Sequence, residues 1–134
     1  MILLDASFIV AYYNEKDVHH NKAVEIMAII INSYKNLIIY DYIFDEVINV
    51  LLRKIDLHST IEIGNVLINS VEILNIGDNL FDESWEIFKN QKNTKLSFTD
   101  CSILAVMKKD HIKYIATFDK DFSNFEGIEV VDIK

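Results

Sequence analysis

The stretch Met1-Ile2-Leu3-Leu4-Asp5-Ala6-Ser7 opens the chain and decides how the rest of it is interpreted. Three aliphatic residues run directly into an aspartate, and a short apolar run bounded by a polar residue is typical of a strand buried on both faces. Open α/β sheets place their chemistry at the carboxyl ends of such strands. Two interpretations of Asp5 are open at this point: it caps the following helix, or it belongs to a functional site.

Segments of the same two kinds alternate along the rest of the chain. Short apolar runs predict strands, and apolar residues that recur at helical spacing predict helices. The predicted strands are 2–4, 37–40, 71–76, 114–117 and 128–133, and the predicted helices are 8–13, 21–32, 43–54, 59–68, 78–91 and 98–109. This alternation predicts an α/β fold, a three-layer α/β/α sandwich with a mostly parallel sheet of about five strands.

The composition is that of an ordinary globular chain. Of 134 residues, 51% are hydrophobic and 25% charged, with no proline and only three glycines, so we expect one domain over residues 1–134. No segment approaches the roughly 18 uninterrupted apolar residues of a membrane span. The short apolar run at the start has no basic region before it, so a secretory signal is not expected. The single cysteine, Cys101, excludes an internal disulfide and fits a reducing cytoplasm.

The formal net charge is −8, from 21 acidic residues against 13 lysines and arginines. This balance argues against a broad basic surface for nucleic acid, because such affinity comes mainly from neutralised phosphates. It is compatible with an enzyme that meets phosphate through bound metal ions, and also with a protein whose natural partner is basic. The net charge alone does not decide between these two interpretations.

Four acidic residues stand where predicted apolar elements begin or end. Asp5 and Asp119 follow strands, Asp100 opens an apolar helix, and Glu46 lies at the margin of the buried face of the helix 43–54. Because strand carboxyl ends and helix amino ends share one side of a doubly wound sheet, these side chains can converge. Two unit charges about 4 Å apart repel by about 4 kcal/mol at an effective dielectric of about 20. Such a cluster needs a cation or shifted pKa values, and oxygen ligands alone favour Mg²⁺ or Mn²⁺ over zinc.

Two other features of the sequence are interpreted as structural. The adjacent His19 and His20 point to different sides of a helix, so they are poor joint metal ligands, and a surface or capping role is expected for them. Phe81 and Trp85 lie one turn apart on the helix 78–91. We expect this pair to pack in the core rather than to offer a surface on which nucleobases stack.

Four motifs carry a resemblance to a known family. They are Leu4-Asp5-Ala6-Ser7, Asp45-Glu46-Val47, Phe98-Thr99-Asp100 and Ala116-Thr117-Phe118-Asp119-Lys120-Asp121-Phe122. In order and spacing they resemble the acidic motifs of the PIN-domain family over essentially the whole chain. The length of the chain also resembles that of the VapC toxins, the ribonuclease halves of type II toxin–antitoxin pairs.

The resemblance implies a role for each matching residue. Asp5, Glu46, Asp100 and Asp119 would form a catalytic Mg²⁺ or Mn²⁺ site, and the hydroxyl of Ser7 would support it. Two alternatives stay open for each remaining polar residue of the last motif: Asp121 either adds to the site or lies beside it, and Thr117 either supports the site or only packs at the strand end.

The resemblance also implies an activity and partners. The expected reaction is hydrolysis of single-stranded RNA by metal-activated water, which leaves a 5′-phosphate and a 3′-hydroxyl. The expected partners are a small basic antitoxin and a second copy of the chain, contacted through the apolar helices 21–32 and 59–68. Two alternatives remain: a PIN-domain nuclease that processes RNA without an antitoxin, or a catalytically idle PIN-like binding module.

Overall fold

A parallel sheet forms the centre of the computed structural model, which describes residues 1–132. Its strands are β1 (Ile2–Leu4), β2 (Leu37–Tyr40), β3 (Glu72–Leu74), β4 (Tyr114–Ala116) and β5 (Glu129–Val130). Their spatial order is β3-β2-β1-β4-β5, and each neighbouring pair is parallel. The predicted α/β class and five-stranded parallel sheet are therefore confirmed. The last strand is shorter than predicted within the described part of the chain, and Ile133 lies outside the described residues.

The helices between these strands match the predicted ones in number and place across residues 1–132. They are α1 (Ala6–Tyr13), α2 (His20–Ser33), α3 (Asp41–Lys54), α4 (Leu57–Ser70), α5 (Asp78–Lys89) and α6 (Phe98–Lys109), with a short 3-10 helix at Lys120–Asn124. Several begin earlier than predicted because an aspartate caps them: Asp5 caps α1, and the side chain of Asp56 accepts the Ser59 N–H of α4 at 2.8 Å. None of these helices combines the length and apolarity needed to cross a membrane.

The strand order divides the helices between the two faces of the sheet. Helix α1 packs against α2 and α3, and α3 packs against α4, whereas α5 packs against α6. The connection from β3 to β4 reverses direction across the sheet, so right-handed crossovers place α5 and α6 on the opposite face from the first four helices. β1 is the central strand in the spatial order, and helices cover both of its faces, so Ile2, Leu3 and Leu4 are fully buried. The sheet order reverses between β1 and β4, which is where open α/β sheets bind ligands.

Helix α6 is buried almost all round, as its apolar sequence predicts. Every residue from Cys101 to Met107 is buried. Ser97 and Asp100 form a capping box: the Asp100 N–H donates to Ser97 Oγ at 3.0 Å, and the Ser97 N–H donates to Asp100 Oδ2 at 3.1 Å. The cap fixes the Asp100 carboxylate at the mouth of a rigid, buried helix.

The expected core position of Phe81 and Trp85 is wrong. Their side chains are 49% and 48% exposed, and they surround the ring of Phe98 at the surface, with ring centroids 5.3 and 6.5 Å away. The buried residues of α5 are Leu80 and Ser84, one position earlier on the helix. The Ser84 hydroxyl donates to the Leu80 carbonyl at 2.5 Å, so this small polar residue is satisfied in the core and the aromatic residues are displaced outward.

Replacing Leu3 by alanine tests the central position of β1. Removing a large side chain from a fully buried site should lower the free energy of unfolding by about 2–5 kcal/mol, measured by urea denaturation. Leu57→Ala is the matched control, because Leu57 is 61% exposed. Equal losses in the two variants would contradict the buried central strand.

Candidate active site

The candidate site lies where β1 and β4 end side by side. The register pairs Leu4 with Ala116, and the Asp5 N–H donates to the Ala116 carbonyl at 3.0 Å. The first residues after each strand therefore meet, which brings Asp5 against Thr117 from the far end of the sequence. This juxtaposition follows from the parallel pairing of the two strands.

Asp5 is buried and fully hydrogen-bonded. Its side chain is 3% exposed. Oδ1 accepts the Ala6 N–H at 2.8 Å, and Oδ2 accepts the hydroxyls of Ser7 at 3.0 Å and Thr117 at 2.6 Å. Asp5 therefore caps α1 with one oxygen and joins two chain segments with the other, so its capping role does not compete with a role in the site.

The hydroxyls of Ser7 and Thr117 also hold the loop that follows β4. The two oxygens lie 3.2 Å apart. The Phe118 N–H donates to Ser7 Oγ at 3.0 Å, and the Asp119 N–H donates to Thr117 Oγ1 at 3.0 Å. Thr117 is buried at the end of β4, and its hydroxyl contacts Asp5 directly. Packing at the strand end and supporting the acids are therefore compatible roles for this residue.

Asp119 and Asp121 lie on the same short loop and are linked to each other. The Asp121 N–H donates to Asp119 Oδ1 at 2.9 Å, so Asp119 caps the 3-10 helix with this oxygen. Both side chains are half-buried. Asp121 adjoins the loop end of the site, and both alternatives for its role stay open.

Burial and neighbouring negative charge raise the pKa values of Asp5, Glu46 and Asp100. Burial raises the pKa of Asp5 from 3.8 to about 6, the charge of Asp100 adds to this, and the hydrogen bond from Thr117 opposes it. Burial also raises the pKa of Glu46, with contributions from the charges of Asp5, Asp100 and Asp45. Asp5, Glu46 and Asp100 thus lie in a shared negative field, and each of these three is harder to ionise than an exposed carboxyl.

Asp100 is the electrostatic link between the two ends of this group. Burial raises its pKa, the hydrogen bonds with Ser97 oppose the change, and the charges of Asp119 and Asp121 raise it further. The ion pairs found in residues 1–132 involve other carboxylates. The site acids are therefore close enough to repel one another and have no lysine, arginine or histidine ion-pair partner among the described residues.

The acids share an electrostatic field, but they do not form a preassembled coordination shell. Within residues 1–132, no group of three or more histidine, cysteine, aspartate or glutamate side chains is close enough together to hold a metal ion. The donor chemistry nevertheless fits Mg²⁺ or Mn²⁺, because the available ligands are carboxylate and hydroxyl oxygens without sulfur or imidazole. The expected convergence is thus visible in the pKa values and not in ligand distances.

The region next to the acids also holds a contact that was not expected from the sequence. The ring of His19 is exposed and stacks on Phe118, with ring centroids 4.5 Å apart and an interplanar angle of 9°. The surface role expected for His19 is therefore confirmed. His20 takes the capping alternative: it is half-buried, and its Nδ1 lies 2.8 Å from the carbonyl oxygen of Ala11 in the last turn of α1. No local spacing in the sequence could pair His19 with Phe118.

A parallel five-stranded sheet with helices on both faces, and with acidic residues that influence one another electrostatically near its switch point, defines the class of this fold as an α/β domain with an acidic region at the strand ends. The PIN domain family model matches residues 2–128. The chain belongs to the PIN-domain family, as the four acidic motifs predicted. No curated protein matches the chain in sequence.

Several solved structures are similar to this chain over nearly its whole length. VapC20 of Mycobacterium tuberculosis, described as a sarcin-ricin loop cleaving toxin, is 25% identical with a TM-score of 0.83, covering 92% of this chain and 94% of VapC20. A toxin–antitoxin complex from Klebsiella pneumoniae is 17% identical with a TM-score of 0.72 and 96% coverage of both chains. VapBC2 from Rickettsia felis, bound to a promoter DNA fragment, is 13% identical with a TM-score of 0.74 and 97% coverage of both. The last two share the fold.

The raised pKa of Asp5 predicts how stability depends on pH. Between about pH 4 and pH 6 the folded state holds a proton that the unfolded state has released, so the free energy of unfolding falls as pH rises through this window. Relative to Asp5→Asn, the wild type should lose about 2 kcal/mol between pH 4 and pH 7, measured by urea denaturation in chelator.

Asp56→Asn is the control for this measurement, because the hydrogen bonds to Ser59 lower the pKa of Asp56. The charged form of Asp56 stabilises the folded state. The free energy of unfolding of the wild type, relative to Asp56→Asn, should therefore rise with pH instead of falling. A wild type and an Asp5→Asn protein with parallel pH profiles would contradict the assigned environment of Asp5.

Proposed function

We propose that this chain is a metal-dependent endoribonuclease that acts as the toxin of a toxin–antitoxin pair. The observation that carries the proposal is the position of Asp5, a buried carboxyl with a raised pKa in the field of Glu46 and Asp100 at the switch point of the sheet. Keeping several acids there without cationic side chains costs stability, and a site for divalent cations is the functional reason for bearing that cost.

Asp5, Glu46, Asp100 and Asp119 would hold the ion through their carboxylate oxygens. When bound, Mg²⁺ or Mn²⁺ supplies an activated water and neutralises charge on the leaving oxygen of a phosphodiester. The protein contributes orientation: the hydroxyls of Ser7 and Thr117 hold the Asp5 carboxylate, and the capping box with Ser97 holds Asp100. Asp121 would hold Asp119 in place through its backbone N–H.

Single-stranded RNA is the proposed substrate, because an unpaired strand can bring its phosphate to acids that lie at the end of a sheet. Hydrolysis by water would leave a 5′-phosphate and a 3′-hydroxyl. The description of VapC20 as a toxin that cleaves the sarcin-ricin loop supports RNA as the substrate class. The presence of all four acids of the family's motifs supports an active enzyme over an idle binding module.

A small basic antitoxin is the proposed protein partner. The net charge of −8 and the unpaired acids would attract a basic segment, and the structural neighbours include toxin–antitoxin complexes. These neighbours favour the toxin over an RNA-processing nuclease without an antitoxin. A short basic reading frame directly beside the gene would support this choice, and its absence would favour the processing enzyme.

We further propose that residues 1–134 form one nuclease domain that works as a homodimer in the cytoplasm. Support for protein–protein contact comes from apolar side chains on the two helices expected to supply it: Ile31 of α2 is 64% exposed, and Ile61 and Ile68 of α4 are 53% and 57% exposed. Exposed apolar side chains grouped on neighbouring helices are typical of interaction surfaces.

Cleavage of labelled single-stranded RNA tests the proposed activity directly. The wild type should cleave with Mg²⁺ or Mn²⁺ and stop in chelator, and Asp5→Asn and Asp100→Asn should lose at least about 100-fold in rate, since each removes a proposed metal ligand. Asp82→Asn, on the exposed surface of α5, is the control and should cleave normally. Undiminished cleavage by both site variants would show that the activity belongs elsewhere.

Metal binding should also stabilise the folded protein. Millimolar Mg²⁺ or Mn²⁺ relieves the repulsion among the acids and binds only the folded state, so it should raise the melting temperature of the wild type by a few degrees, on the order expected from ligand linkage. Asp100→Asn should show a smaller increase, measured by thermal unfolding at one ionic strength. An equal increase in the two proteins would indicate metal binding outside the acidic site.

A further inference from the structure

Three rings form a stack that rises from the core to the surface beside the acids. Phe8 is fully buried, Phe118 is half-buried, and His19 is exposed. The centroids of Phe8 and Phe118 lie 5.9 Å apart with the rings tilted by 31°, and those of Phe118 and His19 lie 4.5 Å apart with the rings nearly parallel. The stack therefore ends on an imidazole ring whose outer face is available to a further flat group.

The stack is joined to the candidate active site through backbone and side-chain contacts. Phe118 lies between Thr117 and Asp119, and its N–H donates to Ser7 Oγ, which in turn donates to Asp5. On the other side, the His19 N–H donates to Asp17 Oδ1 at 2.9 Å. This hydrogen bond fixes the backbone of His19 at the start of α2. The His19 ring contacts Phe118, the residue directly before Asp119.

We propose that the exposed face of His19 is a subsite on which an unpaired nucleobase of the RNA stacks, next to the phosphate that is cleaved. This inference rests on the proposed nuclease function and names how that site holds its substrate. Every base has a flat face, so a stacking subsite accepts any base and requires only that it be unpaired. Specificity for single-stranded RNA would follow from this requirement.

The charge of the chain makes such a subsite useful. A protein with a net charge of −8 cannot gain its affinity from a broad basic surface, so contacts that do not depend on phosphate must supply part of it. Stacking on an aromatic side chain is such a contact, and its loss typically weakens binding by about 5- to 150-fold per base. Stacking on Phe118 fixes the orientation of the imidazole ring in the free protein. The subsite is therefore preorganised, and a base that binds does not have to order it.

Substitutions of His19 separate stacking from charge. His19→Ala removes the ring, His19→Lys replaces the ring by a flexible cation, and His19→Phe keeps a flat ring that cannot carry a charge. His58 offers a matched control, because it is an exposed histidine in the first turn of α4, with its Nε2 3.1 Å from Glu62 Oε1.

Equilibrium binding of a fluorescently labelled single-stranded RNA, measured by anisotropy in an Asp100→Asn background, tests the subsite without cleavage. We expect His19→Ala and His19→Lys to weaken binding by about 5- to 150-fold, and His19→Phe and His58→Ala to bind within about twofold of the parent. A series of oligonucleotides, each with one abasic position, identifies the stacked base. Removing that base should weaken binding by the parent as much as His19→Ala does, and it should not weaken binding by the His19→Ala protein any further.

The outcomes separate this inference from the proposed function. Unchanged RNA binding by His19→Ala overturns the stacking subsite, and so does normal binding by His19→Lys with weak binding by His19→Phe. If the wild type still cleaves RNA in these cases, the nuclease function stands and only the subsite is lost. A wild type that neither binds nor cleaves RNA overturns both.

Discussion

The hydrogen bond from Thr117 to Asp5 is the contact on which the architecture of the site depends. It joins the ends of the chain's first and fourth strands, and both residues are buried. The same two segments are held by the backbone bond from Asp5 to Ala116 and by the contact of Ser7 with Phe118. A buried carboxyl needs such partners, because an unsatisfied charge in the interior is costly. The loop that carries Asp119 and Phe118 is ordered as a consequence.

The stability of the fold and the chemistry of the site make opposite demands at this position. Burial and the charge of Asp100 raise the pKa of Asp5, so ionising it at neutral pH costs folding free energy. The apolar residues of β1 and α6 offset that cost, because nearly all of them are buried in the core. The same burial holds Asp5 and Asp100 on rigid elements, so their separation is set by the core rather than by flexible loops. A cation bound by these carboxylate oxygens would neutralise their charge and so remove their mutual repulsion.

The local pattern of the sequence was sufficient for most of the fold. Apolar runs such as Leu37–Tyr40 and the helical spacing of α3 predicted elements that the structure contains. Errors arose where two apolar faces of one helix were possible: the core accepted Leu80 and Ser84 of α5, and Phe81 and Trp85 stayed at the surface. Periodicity could not decide this, because only the packing against α6 selects the buried face. The four acids were found as candidates because Asp5, Asp100 and Asp119 stand where predicted elements begin or end, and Glu46 lies at the margin of a buried helix face.

The sequence by itself determined the α/β class, the order of the elements and the acidic residues at their boundaries, because these follow from residue types and spacing within short segments. Only the tertiary structure decided which side chains meet across the sheet. The parallel pairing of β1 with β4 brings Thr117 into contact with Asp5. The loop between α1 and α2 places His19 against Phe118. These contacts join residues far apart in sequence, and no local pattern encodes them. They exist because strand pairing and core packing bring distant segments together.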